Sequence, residues 1–167
     1  MRYVGASNYS AERLREALTV SDQHGSVRYS CLQPPYNLVN RAQYEGELES
    51  LCLEQGLGVI PYSSLASGFL TGKYRPGHDL PTSPRAKRVQ EQYMHEMGFG
   101  VLEQLDRIAA AHGATAAQVA LAWLIARPGI TAPIASATSV EQVRELLDAA
   151  SVQLTPAELV ELNTVSA

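Results

Sequence analysis

Ser7 and Asn8, then Gln33, then Tyr62 each close a short apolar run: Arg2-Tyr-Val-Gly-Ala-Ser-Asn8, Cys31-Leu-Gln-Pro-Pro-Tyr-Asn37 and Gly58-Val-Ile-Pro-Tyr-Ser63. About one helix of sequence separates each run from the next. In parallel β/α architectures, side chains at the carboxyl ends of strands are the ones that meet a ligand. The spacing therefore predicts one shared binding site. Other chemistries are poorly supplied. Ser67-Gly-Phe-Leu-Thr-Gly-Lys73 looks like a nucleotide P-loop, but three residues separate its glycines where four are needed, and Tyr74 follows the lysine. No GxGxxG stretch occurs. His24, His78, His95 and His112 fall in loops or on helix surfaces away from the strand ends and read as solvated, and no metal-ligand spacing emerges. Cys31 and Cys52 stand in no metal or redox spacing and read as reduced, buried packing residues.

The elements that must position these residues alternate between strand and helix, the pattern of a parallel sheet with crossover helices. After the first strand, Ser10 can cap a helix with Leu14, Ala17 and Leu18 on one face, ending near Gly25. A second strand is expected at about residues 27–32, then a helix over 44–55 with Leu48, Leu51 and Cys52 inward that stops at Gly56, then a third strand at 57–61. Periodicity disappears over residues 63–89, where Gly, Pro, Ser, Thr and Arg take over; a loop this long tends to be a lid or binding loop. Helical patterning returns from Glu91, with Leu102, Leu105, Ile108 and Ala109 on one face. Thr115 then caps a helix that is apolar nearly all round and so expected to be buried. Residues 130–135 read as a fourth strand. A helix from about Ser139 should turn Val143, Leu146 and Leu147 inward, and Thr155-Pro156 opens a last short helix.

Composition places the chain among ordinary globular proteins, with 167 residues, 46% hydrophobic and 18% charged. The net charge of -4, with its arginines and two lysines scattered, argues against nucleic acid as a partner. No apolar run approaches the roughly 18 residues of a membrane span, and no basic-then-apolar leader opens the sequence, so no membrane partner and a cytoplasmic location are expected.

The chain resembles the carboxyl-terminal half of an aldo-keto reductase. The matching stretches are Gly5-Ala-Ser-Asn8, Leu32-Gln-Pro-Pro-Tyr-Asn-Leu-Val-Asn-Arg41, Pro61-Tyr-Ser-Ser-Leu-Ala-Ser-Gly-Phe-Leu-Thr-Gly-Lys-Tyr74, Ala116-Ala-Gln-Val-Ala-Leu-Ala-Trp123 and Pro133-Ile-Ala-Ser-Ala-Thr-Ser-Val-Glu-Gln142, in family order over almost the whole chain. The resemblance implies an α/β fold of parallel (β/α) units corresponding to the second half of a TIM barrel, with four strands and flanking helices. Residues 1–167 then form a single incomplete barrel domain, and residues 63–89 its cofactor-covering loop. It implies NADP as cofactor, with NAD possible, and a small-molecule carbonyl substrate. Ser7, Asn8 and Gln33 inherit hydrogen bonds to the nicotinamide carboxamide, and Tyr62 the stacking contact on its ring. Ser63, Leu65 and Ser67 match the segment over the pyrophosphate; Ser136, Gln142 and Glu145 match the adenosine-phosphate end.

The pattern is not complete. Ser136 stands where many relatives have Gly, Ser139 where Arg or Lys often meets a 2′-phosphate, and Leu146 where Asn commonly contacts adenine, with Arg144 a partial substitute. The family's Tyr, Lys, Asp and His that protonate the carbonyl belong to the amino-terminal half, so no catalytic residue is assigned and the chain alone is expected to be inactive. A (β/α)₈ barrel takes about 250 residues, which makes this sequence a truncated barrel on the resemblance. About ten inward apolar groups would then lack cover. Self-association, pairing with an amino-terminal half, or flattening into an open sheet follows as an expectation. The alternative function is a non-catalytic nicotinamide sensor or regulatory subunit; a third is a structural remnant that binds nothing.

Overall fold

The three apolar runs pair side by side. In the computed structural model, which describes residues 2–167, β1 (Val4–Ser7), β2 (Tyr29–Gln33) and β3 (Gly58–Val59) form one parallel sheet in that order. Two helices make the crossovers, α1 (Ala11–His24) and α2 (Glu47–Glu54). Ser10 Oγ accepts from Arg13 N at 3.2 Å to start α1, and Gly25, at a φ of 60°, ends it in the left-handed conformation that glycine adopts without penalty.

Register decides which side chains reach the site. Gly5 pairs with Cys31 and Cys31 with Gly58; Ala6, Leu32 and Val59 form the next row; Ser7 pairs with Gln33. Successive strand side chains point to opposite faces. Ala6, Leu32 and Val59 are buried in one core with Leu14, Leu18, Leu51 and Cys52. The opposite face carries Gly5, Ser7, Cys31 and Gln33, all exposed or half-buried, so Cys31 is not buried as expected, because Leu32 beside it takes the core-facing place. A methyl group at Gly5 would lie 2.5 Å from Cys31 Sγ, so this row has room for the cysteine alone. Along β1 and β2 the uncovered face is thus small and polar, with fewer large apolar groups than expected from the sequence, and beyond Gly58 the half-buried Ile60 adds an apolar side chain to it.

The strand count is three, not four. Residues 130–135 keep the place beside β3 without forming a strand: Val59 makes a single parallel bridge to Ile130, Thr131 N donates to Val59 O at 2.8 Å, and Ile134 N donates to Pro61 O at 2.8 Å. Pro133 has no N–H to continue a ladder, and β3 offers only two residues to pair with.

Residues 63–89 are less irregular than expected, since a 3₁₀ turn at Ala66–Thr71 and the start of α3 (Ala86–Tyr93) fall within them. The helix expected from Glu91 is divided between α3 and α4 (Glu96–His112), with His95 Nδ1 capping Gly98 N. Gly98 sits so close to the Tyr93 carbonyl that a side chain there would collide with it. α5 (Ala116–Ile125) opens with a capping box between Thr115 and Gln118 and is buried over most of its surface. After α6 (Val140–Asp148) and a 3₁₀ turn (Ala149–Ser151), Thr155 and Glu158 make a second capping box at α7 (Pro156–Val165).

α6 corrects a sequence expectation. Val143 is 47% and Leu147 69% exposed, and Leu146 is only half-buried. The face turned toward α5 carries Glu145, Leu146 and Ala149, because the Glu145 carboxylate accepts from Thr115 Oγ1 at 2.7 Å and its backbone carbonyl from Gln118 Nε2 at 3.1 Å. Two hydrogen bonds set the rotation of this helix, and its apolar side faces outward.

An ionic cluster supports the loop after β2. Arg41 grips both carboxylate oxygens of Glu45, at 2.8 and 2.9 Å, and donates through Nη1 to Asn163 O at 2.7 Å and Ser166 Oγ at 2.8 Å. Arg127 approaches Glu45 and Glu49, and the Arg41 and Arg127 guanidinium carbons lie 5.8 and 5.6 Å from the Trp123 ring centre. Burial pushes the Glu45 carboxyl up. Hydrogen bonds from Arg41 and Tyr36 and the charges of Arg41 and Arg127 outweigh that and hold it below its ordinary value.

Candidate functional site

The carboxyl ends of β1, β2 and β3 come together as the sequence spacing predicts. Ser7 Oγ donates to Gln33 O at 2.9 Å, and Asn8, at a φ of 59°, turns the chain from β1 toward α1. Beyond β3, Tyr62 extends the sheet: its N donates to Pro34 O at 3.0 Å, and its carbonyl accepts from Tyr36 N at 3.3 Å. Its hydroxyl donates to Asn8 Oδ1 at 2.9 Å.

From Tyr62 the chain lines a cleft of about 680 Å³. One wall is the segment after β3, with Ser63, Ser64, Leu65, Ser67 and Gly68. The other comes from residues 134–146, with Ser136, Thr138, Gln142, Glu145 and Leu146. Backbone strain concentrates in the first wall, where Ser63, Ala66 and Ser67 hold φ values of 58°, 49° and 56°. Left-handed non-glycine residues cost roughly 1–3 kcal/mol each and cluster where a ligand is clamped. Buried Ala66, Phe69, Leu70 and Tyr74 anchor the segment from beneath.

The second wall is held by its own polar groups. Gln142 Oε1 accepts from Thr138 N at 2.8 Å and Thr138 Oγ1 at 3.1 Å, and Ser139 Oγ caps Gln142 N at 3.3 Å. Ser139 is therefore engaged with its own helix, and Arg144 is exposed and does not line the cleft.

Of the residues predicted from the sequence, Tyr62, Ser63, Leu65, Ser67, Ser136, Gln142 and Glu145 line this cleft together. Ser7, Asn8 and Gln33 do not line it; they sit beside it at the strand ends, linked through Tyr62. Sequence reasoning missed Lys73 and Arg85, which bring positive charge to the same cleft. Among the described residues neither has a carboxylate within ion-pair distance. Lys73 stood inside a stretch that carried the family resemblance, which was the available signal. Arg85 lies where no periodicity marks a position.

The model of the aldo/keto reductase family matches residues 1–167. The chain belongs to the aldo/keto reductase family. Its parallel (β/α) units are consistent with part of the TIM barrel of aldo/keto reductases. Among similar proteins, one from Oryza sativa subsp. japonica described as a probable voltage-gated potassium channel subunit beta is 34% identical over 155 residues, covering 90% of this chain and 47% of that protein. One of the same description from Arabidopsis thaliana is 33% identical, covering 98% and 52%. An NADH-specific methylglyoxal reductase of Escherichia coli K12 is 33% identical, covering 95% and 46%. The chain spans about half the length of the curated relatives it matches.

Proposed function

We propose that this chain is the cofactor-holding, carboxyl-terminal half of a nicotinamide-dependent reductase of small aldehydes or ketones. NADP is the proposed cofactor and NAD the alternative. The observation that carries this reading is Tyr62, which bonds to Asn8 at the strand ends and also lines the cleft. One aromatic thereby joins an amide-rich end, suited to a carboxamide, to an end rich in hydroxyls and cations, suited to phosphates.

The donor set and the size fit such a ligand. Ligand pockets run to roughly 300–1,000 Å³, and this cleft falls in that range. Ser7, Asn8 and Gln33 would bind the carboxamide, and the Tyr62 ring would cover one face of the nicotinamide. Ser63, Leu65 and Ser67, with Lys73 and Arg85, would hold the phosphates, and Ser136, Gln142 and Glu145 the adenosine end. The nicotinamide, when bound, supplies a hydride. No residue of this cleft is proposed as the proton donor, since the Tyr62 hydroxyl is already donated to Asn8; the chain by itself is expected to bind without turnover.

A second reading is favoured by the Oryza and Arabidopsis relatives, whose names describe subunits of a channel. On that reading the chain is a non-catalytic nicotinamide sensor or regulatory subunit. Titration with NADPH and NADH, followed by nicotinamide fluorescence, tests both: saturable binding supports them, and no response to either cofactor removes them. Turnover of a generic aldehyde by the bound form would remove the second reading and the expectation of inactivity.

A further inference from the structure

Asn37 is fully buried, yet it belongs to none of the groups assigned above. Its backbone pairs with Asn40 in both directions, at 3.3 and 3.1 Å. Its side-chain oxygen accepts from Val39 N at 3.0 Å, which directs the amide nitrogen the other way, to donate to the carbonyl of Ser63 at 2.9 Å. The same carbonyl accepts from Ala66 N at 2.8 Å, so both of its lone pairs are engaged. Ser63 is the first of the left-handed residues in the cleft wall. The base from which Asn37 reaches is itself fixed, with Tyr36 bonded to Glu45 at 2.6 Å on one side and Arg41 in the ionic cluster on the other.

We propose that Asn37 is a positioning residue for the cleft: its carboxamide holds the Ser63 carbonyl, and so keeps the strained turn at Ser63 in the shape that receives the cofactor phosphates. This rests on the cofactor reading for what the cleft binds, but not for what Asn37 does to the chain. Asn37 links the loop after β2 to the loop after β3, at a point where the backbone conformation is one that serine rarely adopts. Without the donor, Ser63 keeps one bond and the segment opens locally.

Hydrogen exchange by mass spectrometry on Asn37→Ala and Asn37→Asp tests this. The aspartate variant keeps the side-chain volume and the Val39 bond and, at a pH where its carboxyl is ionised, sets an acceptor against the Ser63 carbonyl in place of the donor. Expected is exchange about tenfold faster over residues 63–72, the loss of one hydrogen bond, with α1 and α5 protected as in the parent, and a matching rise in the NADPH dissociation constant. Ser63→Gly removes the conformational strain, so in that background the effect of Asn37→Ala on the segment should shrink; strict additivity overturns the proposal. Parent-like exchange in the segment, equal loss of protection in every element, or failure of both variants to fold also overturns it. If the parent binds neither NADPH nor NADH, the cofactor reading fails alone, and the exchange data still decide the role of Asn37.

Discussion

The Tyr62 hydroxyl donates to Asn8 Oδ1 at 2.9 Å, joining residues 54 apart in sequence. With its oxygen so used, Asn8 has its NH₂ left to offer a ligand. Tyr62→Phe keeps the ring and removes the tie, and the nicotinamide dissociation constant is expected to rise roughly threefold to tenfold, one hydrogen bond's worth. Tyr62→Ala should lose more, because stacking goes too. Fluorescence titration of the two variants separates hydroxyl from ring: equal losses would leave the ring with no part in binding.

Lys73 and Arg85 supply the cleft's positive charge. Alanine at either position is expected to weaken NADPH binding by about tenfold or more, as for hydrogen bonds to charged groups. Each variant should also flatten the dependence of affinity on salt, since screening acts on the lost ion pair. Titrations at low and high salt check this, and an unchanged salt slope in both variants would move the phosphates elsewhere.

The Glu45 carboxyl is held below its ordinary value of 4.5 by Arg41, Tyr36 and Arg127, against the opposing effect of burial. A group whose folded value is depressed adds stability above its unfolded value, and that stability is lost as pH falls through the folded one. The chain should therefore lose denaturant resistance as pH drops below about 4.5. Glu45→Gln, which cannot titrate, should be less stable at neutral pH and show a shallower acid decline. Urea unfolding across that range measures both; parallel curves for the two proteins would rule Glu45 out as a source of acid sensitivity.

Burial, with Glu49 nearby, pushes the Cys52 thiol up to about 11, whereas Cys31 is only half-buried beside the glycine row. Thiolate is the reactive form. A chromogenic disulfide reagent should label Cys31 in the native protein and Cys52 only after unfolding. Peptide mapping checks the order, and early labelling at Cys52 would mean that α2 opens readily.

The helix starts could be read from the sequence because their caps are local: Ser10, Thr115 and Thr155 each bond to the backbone three residues on. The order and direction of the three strands followed from the alternation of strand and helix signals. The fourth strand failed on Pro133 and on the shortness of β3, and α6 was turned the wrong way because hydrogen bonds to Glu145 outweighed its apolar face. Lys73 and Arg85 were missed because their place in the cleft depends on how residues 63–89 fold, which no periodicity encodes. The Asn8–Tyr62 bond joins two separately recognised residues, and only the register of the sheet shows that they meet.

Arg41 reaches from the loop after β2 to Asn163 and Ser166. That clasp fastens the tail of the chain to its first third, so damage at the tail is felt far away. Enzymatic clipping a few residues before Ser166 would free one guanidinium from its outer anchors, loosen the Glu45 grip beneath Tyr36, and relax the footing on which Asn37 stands.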